Sequence, residues 1–278
     1  MVKRRGKDDE ESGAVPFIRI ILWPFKMLFV MISWIVKGIV FGVEWSIGLF
    51  SNREIVKKES ADNPYIPFKT VKDIAGNFIR FEDVLVKKDS TIGLIIGARG
   101  SGKSAFGLKL LENLHTLSKR KTFTMGFKSH GMPSWVRNVN TLDEIENGSY
   151  VLIDEGGILF SARQGFSDAN QLLSELLLIA RHKDLSIIFI TQNSSNLEIN
   201  AIRQADYLVL KPSSLLQLDF ERKKIKDIYK EVIEDFDRYR NVKGLTYIYS
   251  DTYKGFVSNP LPTFWSQSIS KSFSGKKD

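Results

Sequence analysis

The sequence predicts an α/β fold in which helices flank a mostly parallel β-sheet. Three short runs rich in apolar and β-branched residues have the length of buried strands, and glycine or a polar residue follows each: 91–96, 150–153 and 186–191. A segment with helical apolar spacing follows the first run. Such alternation is typical of parallel sheets, and 278 residues, 43% of them hydrophobic, suffice for a sizeable core.

The amino-acid composition limits which metal sites, disulfides and binding partners the protein can have. The absence of cysteine excludes disulfides and thiolate-bound metals, and the three histidines lie at spacings that do not indicate a zinc site. The formal net charge of +8 suits a polyanionic partner, either nucleic acid or an anionic lipid surface. Residues 1–13 and 266–278 are expected to be a charged N-terminal tail and a basic C-terminal tail.

Residues 14–50 are predicted to form a membrane-associated helical segment. Its four charged residues are 7, 11 and 7 positions apart: Arg19, Lys26, Lys37 and Glu44. At roughly 100° per residue they project within about 20° of one another, with Trp23, Trp34 and Trp45 beside them. A wide apolar face, a narrow charged line and bordering tryptophans are typical of a helix in the membrane interface.

The same pattern leaves other arrangements of residues 14–50 open. A spanning helix could turn its charged line towards a bundle interior or a pore, and an amphipathic helix could instead pack on a soluble core. Pro24 is expected to kink or restart the helix. We expect the protein to be membrane-associated, in a host or virion membrane, with its globular domain in the cytoplasm.

After a polar linker, residues 51–66, the globular domain is predicted over residues 67–265. The strand 91–96 leads into the motif G-x-x-x-x-G-K-S and then a helix. This order is typical of a P-loop (Walker A), whose backbone N–H groups and helix amino end bind phosphates. The predicted nucleotide-binding residues are Gly97, Ala98, Arg99, Gly100, Ser101, Gly102, Lys103, Ser104 and Ala105. The Lys103 ammonium would reach the β- and γ-phosphates, and the Ser104 hydroxyl would bind Mg²⁺.

An acidic pair supplies the expected partner of the P-loop. The strand 150–153 ends in Asp154 and Glu155, a Walker B pattern. Asp154 is predicted to hold Mg²⁺ directly or through water, and Glu155 to polarise the attacking water as catalytic base. Together the motifs predict ATP and Mg²⁺ as cofactors and the RecA-like (ASCE) class of P-loop NTPase.

The strand 186–191 ends on a primary amide. Because ligands sit at the carboxyl ends of parallel strands, this strand is expected beside the P-loop strand, so that Gln192 emerges near the γ-phosphate. Its amide could then donate to the phosphate or the lytic water and distinguish ATP from ADP. The alternative is a glutamine that merely ends a strand.

These blocks together resemble the FtsK–HerA superfamily of P-loop motors. The superfamily includes DNA pumps of chromosome segregation and conjugation, viral genome-packaging ATPases and the zonula occludens toxin-like assembly proteins of filamentous phages. The similarity lies in "GARGSGKS", "VLIDEGG", "LLLIARHKDLSIIFITQNSS" and "INAIRQADYLVLKPSS". The apolar segment precedes the motor here, as in the cell-division and conjugative pumps, whereas in the toxin-like phage proteins it follows.

The resemblance implies a ring, often a hexamer, with ATP bound between subunits. An arginine of one subunit then stabilises charge on its neighbour's γ-phosphate. Arg181 is the first candidate for this role, followed by Arg163 and Arg203. For the remaining elements we expect a pair of short strands over residues 69–88, one charged helix over 215–240, and a β-hairpin that turns through 251–255.

Three functions agree with these patterns. The first is a membrane-tethered oligomeric ATPase that moves DNA through a pore or into a particle. The second keeps the ATPase and replaces the cargo with virion or pilus protein that is assembled or extruded across a membrane. The third is a membrane scaffold that binds nucleotide with negligible turnover. The candidate catalytic base Glu155 argues against this third function.

Overall fold

The computed structural model describes residues 64–155, 169–197, 199–266 and 269, all of which belong to one compact unit, Ser60–Asp278. The predicted membrane segment 14–50, the tail 1–13, nearly all of the linker and most of the C-terminal tail lie outside the described residues. Within the described part, no helix combines the length and the apolar character needed to cross a membrane.

Nine strands and six helices are described. The strands are β1 (Lys69–Gly76), β2 (Ile92–Ile96), β3 (Thr122–Met125), β4 (Val136–Val139), β5 (Tyr150–Asp154), β6 (Ser186–Thr191), β7 (Tyr207–Leu210), β8 (Leu245–Ser250) and β9 (Tyr253–Ser258). The helices are α1 (Phe78–Lys87), α2 (Lys103–Ser118), α3 (Ala169–Ala180), α4 (Ile199–Gln204), α5 (Leu215–Phe220) and α6 (Lys223–Arg238).

The strands form one mixed sheet in the order β1-β9-β8-β7-β2-β6-β5-β3-β4. Neighbouring strands from β7 to β4 run parallel, and β8, β9 and β1 extend the sheet as antiparallel neighbours at one edge. The predicted α/β sheet is therefore confirmed. Because the central strands are parallel, their carboxyl ends share one edge of the sheet.

The predicted neighbour of the P-loop strand is also confirmed. Strand β6 pairs in parallel with β2, and Thr191 lies opposite Ile96. On its other side β6 pairs with β5, and Ile190 lies opposite Asp154. The strand that ends at Gln192 thus lies between the P-loop strand and the acidic strand.

Two apolar clusters cover the two faces of the sheet, which explains why the central strands are apolar throughout. Along β2, Leu94 and Ile96 belong to one cluster, together with residues of α3, α4 and α6. Ile95 points the other way, into a cluster with residues of α1 and α2. Both faces are therefore buried, and chemistry is left to the edge where the strands end.

The strand pair expected over residues 69–88 is wrong in its second half. Strand β1 does form and pairs antiparallel with β9, but residues from Phe78 onwards form helix α1. Phe78, Phe81 and Leu85 are buried at helical spacing, and the Asn77 side chain caps the helix by accepting from the Ile79 N–H at 2.7 Å. The apolar period of this segment was that of a helix.

The single helix expected over residues 215–240 is two helices, α5 and α6. The break lies at Glu221, which is buried, and Arg222, whose extended backbone starts α6. The hairpin β8–β9 is confirmed with a shorter turn than expected, because only Asp251 and Thr252 separate its strands.

Candidate nucleotide site at the carboxyl edge of the sheet

The P-loop joins β2 to α2 and is shaped by its glycines. Gly100 and Gly102 have φ of 75° and 89°, in the left-handed region that favours glycine. Gly102 directly precedes α2, so the amino end of a helix of 16 residues points into the loop. Nothing lies within 4 Å of a Cβ built on Gly100, and the Ser101 Oγ is buried without a hydrogen-bond partner. The open space and the unsatisfied hydroxyl fit a phosphate.

Lys103 is the buried cation of the loop. Its side chain is 8% exposed, and its Nζ donates to the carbonyl oxygens of Gly97 and Ala98, each at 2.8 Å. Burial lowers the pKa of Lys103, while the carboxylates of Asp154 and Glu155 raise it. The positive charge thus lies between the phosphate-binding loop and the acidic pair.

Ser104 and Asp154 meet across the site, although 50 residues separate them in the chain. The Ser104 Oγ donates to Asp154 Oδ2 at 3.1 Å, and Asp154 is buried at the end of β5. A hydroxyl and a carboxylate oxygen are ligands that Mg²⁺ prefers, completed by phosphates and water. Among the described residues there is no cluster of three or more His, Cys, Asp or Glu that could hold a metal ion.

Glu155 is the first residue after β5 and is only 5% exposed. Burial lowers the pKa of Lys103, and the negative charge of Glu155, like that of Asp154, acts in the opposite direction. A carboxylate buried at this edge can hold a water near a bound phosphate.

Gln192 follows β6 at the same edge, next to the strand end that begins the P-loop, and it is exposed. The Gln217 side chain of α5 donates to the Gln192 backbone carbonyl. Sequence reasoning missed this contact, because it joins residues 25 positions apart in the chain.

The loop after Gln192 is held by a buried carboxylate that was also missed. Glu221 Oε2 accepts from the Ser194 N–H at 2.8 Å and from the Ser194 hydroxyl. The Arg222 Nε donates to the Ser194 carbonyl at 3.0 Å. Polar side chains where α5 meets α6 therefore fix the loop that carries Gln192.

Arg181 and Arg203 lie at the opposite edge of the sheet. Arg181 is exposed in the turn before β6, and Arg203 is exposed near the end of α4, before β7. Six residues of β6 at about 3.3 Å each separate Arg181 from the nucleotide edge, which is farther than an arginine side chain reaches. Neither contacts its own chain's site, and action on a neighbouring subunit stays a prediction. Arg163 lies outside the described residues.

Comparison with known proteins places the chain in a family. A family model described as zonular occludens toxin (Zot) matches residues 107–247. The DNA-packaging ATPase B204 of Sulfolobus turreted icosahedral virus is 17% identical over 62% of this chain and 98% of its own, with a TM-score of 0.44. The N-terminal domain of zonular occludens toxin from Neisseria meningitidis is 20% identical over 44% of this chain and 76% of its own, with a TM-score of 0.32. No curated protein sequence matches the chain.

The family match covers just over half of the chain and begins within α2, directly after the P-loop. It includes Asp154, Glu155 and Gln192. The chain therefore belongs to the zonular occludens toxin (Zot) family, and it is a P-loop ATPase of the FtsK–HerA type.

Proposed function

We propose that the chain hydrolyses Mg·ATP at this site and, as a membrane-tethered oligomer, uses the energy to move DNA through a pore or into a particle. The observation that carries the proposal is the contact between Ser104 and Asp154. It joins the first turn of the P-loop helix to the acidic strand, with the buried Lys103 and Glu155 beside it. The cation, the candidate metal ligands and the candidate base thus lie together at the carboxyl edge of the sheet.

Binding begins with the loop amides and Lys103. The Lys103 ammonium, which contacts two loop carbonyls in this structure, would turn to the β- and γ-phosphates and offset their charge. The Ser104 hydroxyl and Asp154 would hold Mg²⁺, which when bound neutralises phosphate charge.

Hydrolysis requires a water in line with the bond between the β- and γ-phosphates. Glu155 would orient this water and accept its proton as the oxygen bonds to the γ-phosphorus, and the β–γ bridging bond breaks to release ADP and phosphate. Gln192 can donate its amide to the γ-phosphate or the water. Because Gln217 and Glu221 fix the Gln192 loop, loss of the γ-phosphate would be transmitted to α5 and α6.

DNA as cargo is supported by the formal charge of +8 and by the resemblance to DNA pumps. A ring is implied by the resemblance to the FtsK–HerA motors. Arg181 does not reach the nucleotide edge of its own chain, and in a ring it would be offered to a neighbour's nucleotide. Membrane tethering is supported by the pattern of residues 14–50. A helix that lies in the membrane interface predicts that the full chain floats with anionic lipid vesicles in a density gradient but not with neutral ones.

A protein cargo is the second candidate, and the family match favours it. The toxin-like phage members of the superfamily are assembly proteins, and the chain matches that family over residues 107–247. Basal ATP turnover that DNA leaves unchanged would support this candidate over DNA translocation.

The test is ATP turnover of the full chain with and without single- and double-stranded DNA. We expect turnover that needs Mg²⁺ and rises with DNA. A Lys103→Ala variant, which loses the phosphate-binding cation, serves as the inactive control. ATP binding with no turnover under any condition would instead identify a nucleotide-binding scaffold and overturn the proposed hydrolysis.

A further inference from the structure

A second lysine lies directly behind the P-loop. Lys211 follows the last residue of β7, and its backbone N–H donates to the Ile96 carbonyl at 2.8 Å. The next residue, Pro212, accepts from the Ala98 N–H at 3.2 Å. The segment 211–212 therefore extends the sheet alongside the first residues of the phosphate-binding loop.

The Lys211 side chain passes the loop from its first glycine to its last. A Cβ built on Gly97 would lie 2.5 Å from the Lys211 Cβ, so no larger residue fits there. A Cβ built on Gly102 would lie 3.8 Å from the Lys211 Cε and 3.9 Å from its Nζ. The aliphatic stem thus packs against the backbone that the phosphates must approach.

The Lys211 ammonium ends in a cage of uncharged oxygens. Its Nζ donates to the carbonyls of Gly244 and Leu245, each at 3.2 Å, to Thr246 Oγ1 at 2.6 Å and to Asn259 Oδ1 at 2.8 Å. The residue is 1% exposed. No ion pair forms with it among the described residues. The equally buried Lys109, by contrast, has Glu112 at 2.6 Å.

A buried ammonium without a carboxylate is costly. Burial alone lowers the pKa of Lys211 to about 7. The hairpin β8–β9 offers it neutral groups, α6 offers the Tyr229 hydroxyl, which donates to the Lys211 carbonyl at 2.8 Å, and α2 offers Lys103, a like charge bound to Gly97. Burial raises the pKa of Tyr229 far above its usual range, so this phenol stays neutral.

A triphosphate bound by the P-loop would bring an anion to the loop backbone against which Lys211 packs. We propose that Lys211 is a second phosphate-responsive cation of the nucleotide site, whose charge behind the loop strengthens triphosphate binding and is stabilised by it in return. This inference rests on the proposed nucleotide binding and adds a positioning residue to it. It requires that nucleotide binding at alkaline pH be accompanied by uptake of a proton on Lys211.

The test compares dissociation constants for a non-hydrolysable ATP analogue with Mg²⁺ between pH 6.5 and 9, using the full chain and its Lys211→Met variant. At pH 6.5 the lysine is charged in both free and bound protein, so the variant should bind about tenfold or more weakly. At pH 9 the free wild-type lysine is neutral, so the ratio of the two constants should fall at least fivefold. A lysine that only supports the loop would give a ratio independent of pH, which would overturn the proposal.

Calorimetry provides a second readout. Titrations at pH 8 in two buffers of different ionisation enthalpy measure the protons taken up with the nucleotide. A lysine with a pKa of about 7 is only roughly one-tenth protonated at pH 8, and tenfold coupling to the nucleotide would make it about half protonated in the complex. Wild type should therefore take up about 0.4 proton or more beyond the Lys211→Met variant. Equal proton uptake in the two proteins would contradict the proposal.

A second variant keeps Lys211 and tests the proposal even if Lys211→Met fails to fold. Asn259→Asp places a permanent carboxylate where the amide oxygen now lies 2.8 Å from Nζ, which should keep Lys211 charged and abolish the extra proton uptake. Unchanged uptake in Asn259→Asp overturns the proposal. Lys230→Met, an exposed lysine on α6, is the matched control and should behave as wild type. Failure of wild type to bind nucleotide would overturn the proposed function and this inference, whereas binding without the pH effect overturns the inference alone.

Discussion

Replacement of Glu221 by glutamine removes the charge that holds the loop carrying Gln192. The wild-type carboxylate is buried and accepts from both the N–H and the hydroxyl of Ser194. A hydrogen bond to a charged acceptor contributes about 1.5–3 kcal/mol. The glutamine side chain has only one acceptor oxygen. Its NH2 group would point N–H donors towards neighbours that are themselves hydrogen-bond donors to the wild-type carboxylate. We therefore expect the conformation in which Ser194 anchors this loop to Glu221 to be destabilised by roughly 2 kcal/mol.

That loss has a kinetic consequence if Gln192 acts at the γ-phosphate. Since about 1.4 kcal/mol corresponds to a factor of ten, kcat should fall by roughly 10- to 30-fold, with a smaller effect on KM for ATP. Steady-state ATPase kinetics measure the fall, and amide hydrogen exchange of residues 192–197 measures the loosening of the loop. Glu234→Gln, an exposed substitution on α6, is the matched control. Faster exchange in the loop with an unchanged kcat would refute the role of Gln192.

Three further predictions follow from the site. Asp154→Asn should weaken Mg²⁺ binding and raise the Mg²⁺ concentration for half-maximal ATP turnover at least tenfold, because it removes one of two protein ligands; an unchanged Mg²⁺ titration would contradict the assignment. Arg181→Ala should be inactive alone, yet a mixture with Glu155→Gln should regain part of the turnover, since composite sites then pair an intact base with an intact arginine; no regain at any ratio would remove Arg181 from the neighbour's site. The pKa of Lys211 is about 7 in the folded protein and 10.5 in the unfolded chain, so the free-energy cost of burying its charge is fully present below pH 7 and is relieved as the pH rises towards 10. Wild type therefore gains stability with pH and Lys211→Met does not. The melting temperature of Lys211→Met minus that of wild type should decrease between pH 6 and pH 9, and a difference that stays constant would contradict the burial of a charged lysine.

The nucleotide site could be predicted largely from the sequence because its motifs are local. The glycines of the P-loop, Lys103 and Ser104 lie within eight consecutive residues, and Asp154 ends an unmistakably apolar strand. The neighbouring position of β6 was predictable because strand ends in a parallel sheet converge on the ligand. Each of these inferences uses a short run of residues and one topological rule.

The parts that were missed depend on contacts between distant residues. Glu221 looked like one more charge on a solvated helix, and only the fold brings it to Ser194, 27 residues earlier. Lys211 follows a strand as many surface lysines do, and nothing local shows that its ammonium is enclosed by a hairpin more than 30 residues later. Helix α1 is a different case, because the spacing of Phe78, Phe81 and Leu85 was readable and was assigned the wrong period.

The central claim is that Glu155 activates water for cleavage of an ATP bound by Lys103, Ser104 and Asp154. The most direct measurement compares ATP binding and single-turnover hydrolysis in wild type and Glu155→Gln. We expect the variant to bind Mg·ATP with a dissociation constant within about threefold of wild type and to cleave it at least 100-fold more slowly. Hydrolysis at the wild-type rate by Glu155→Gln would contradict the account.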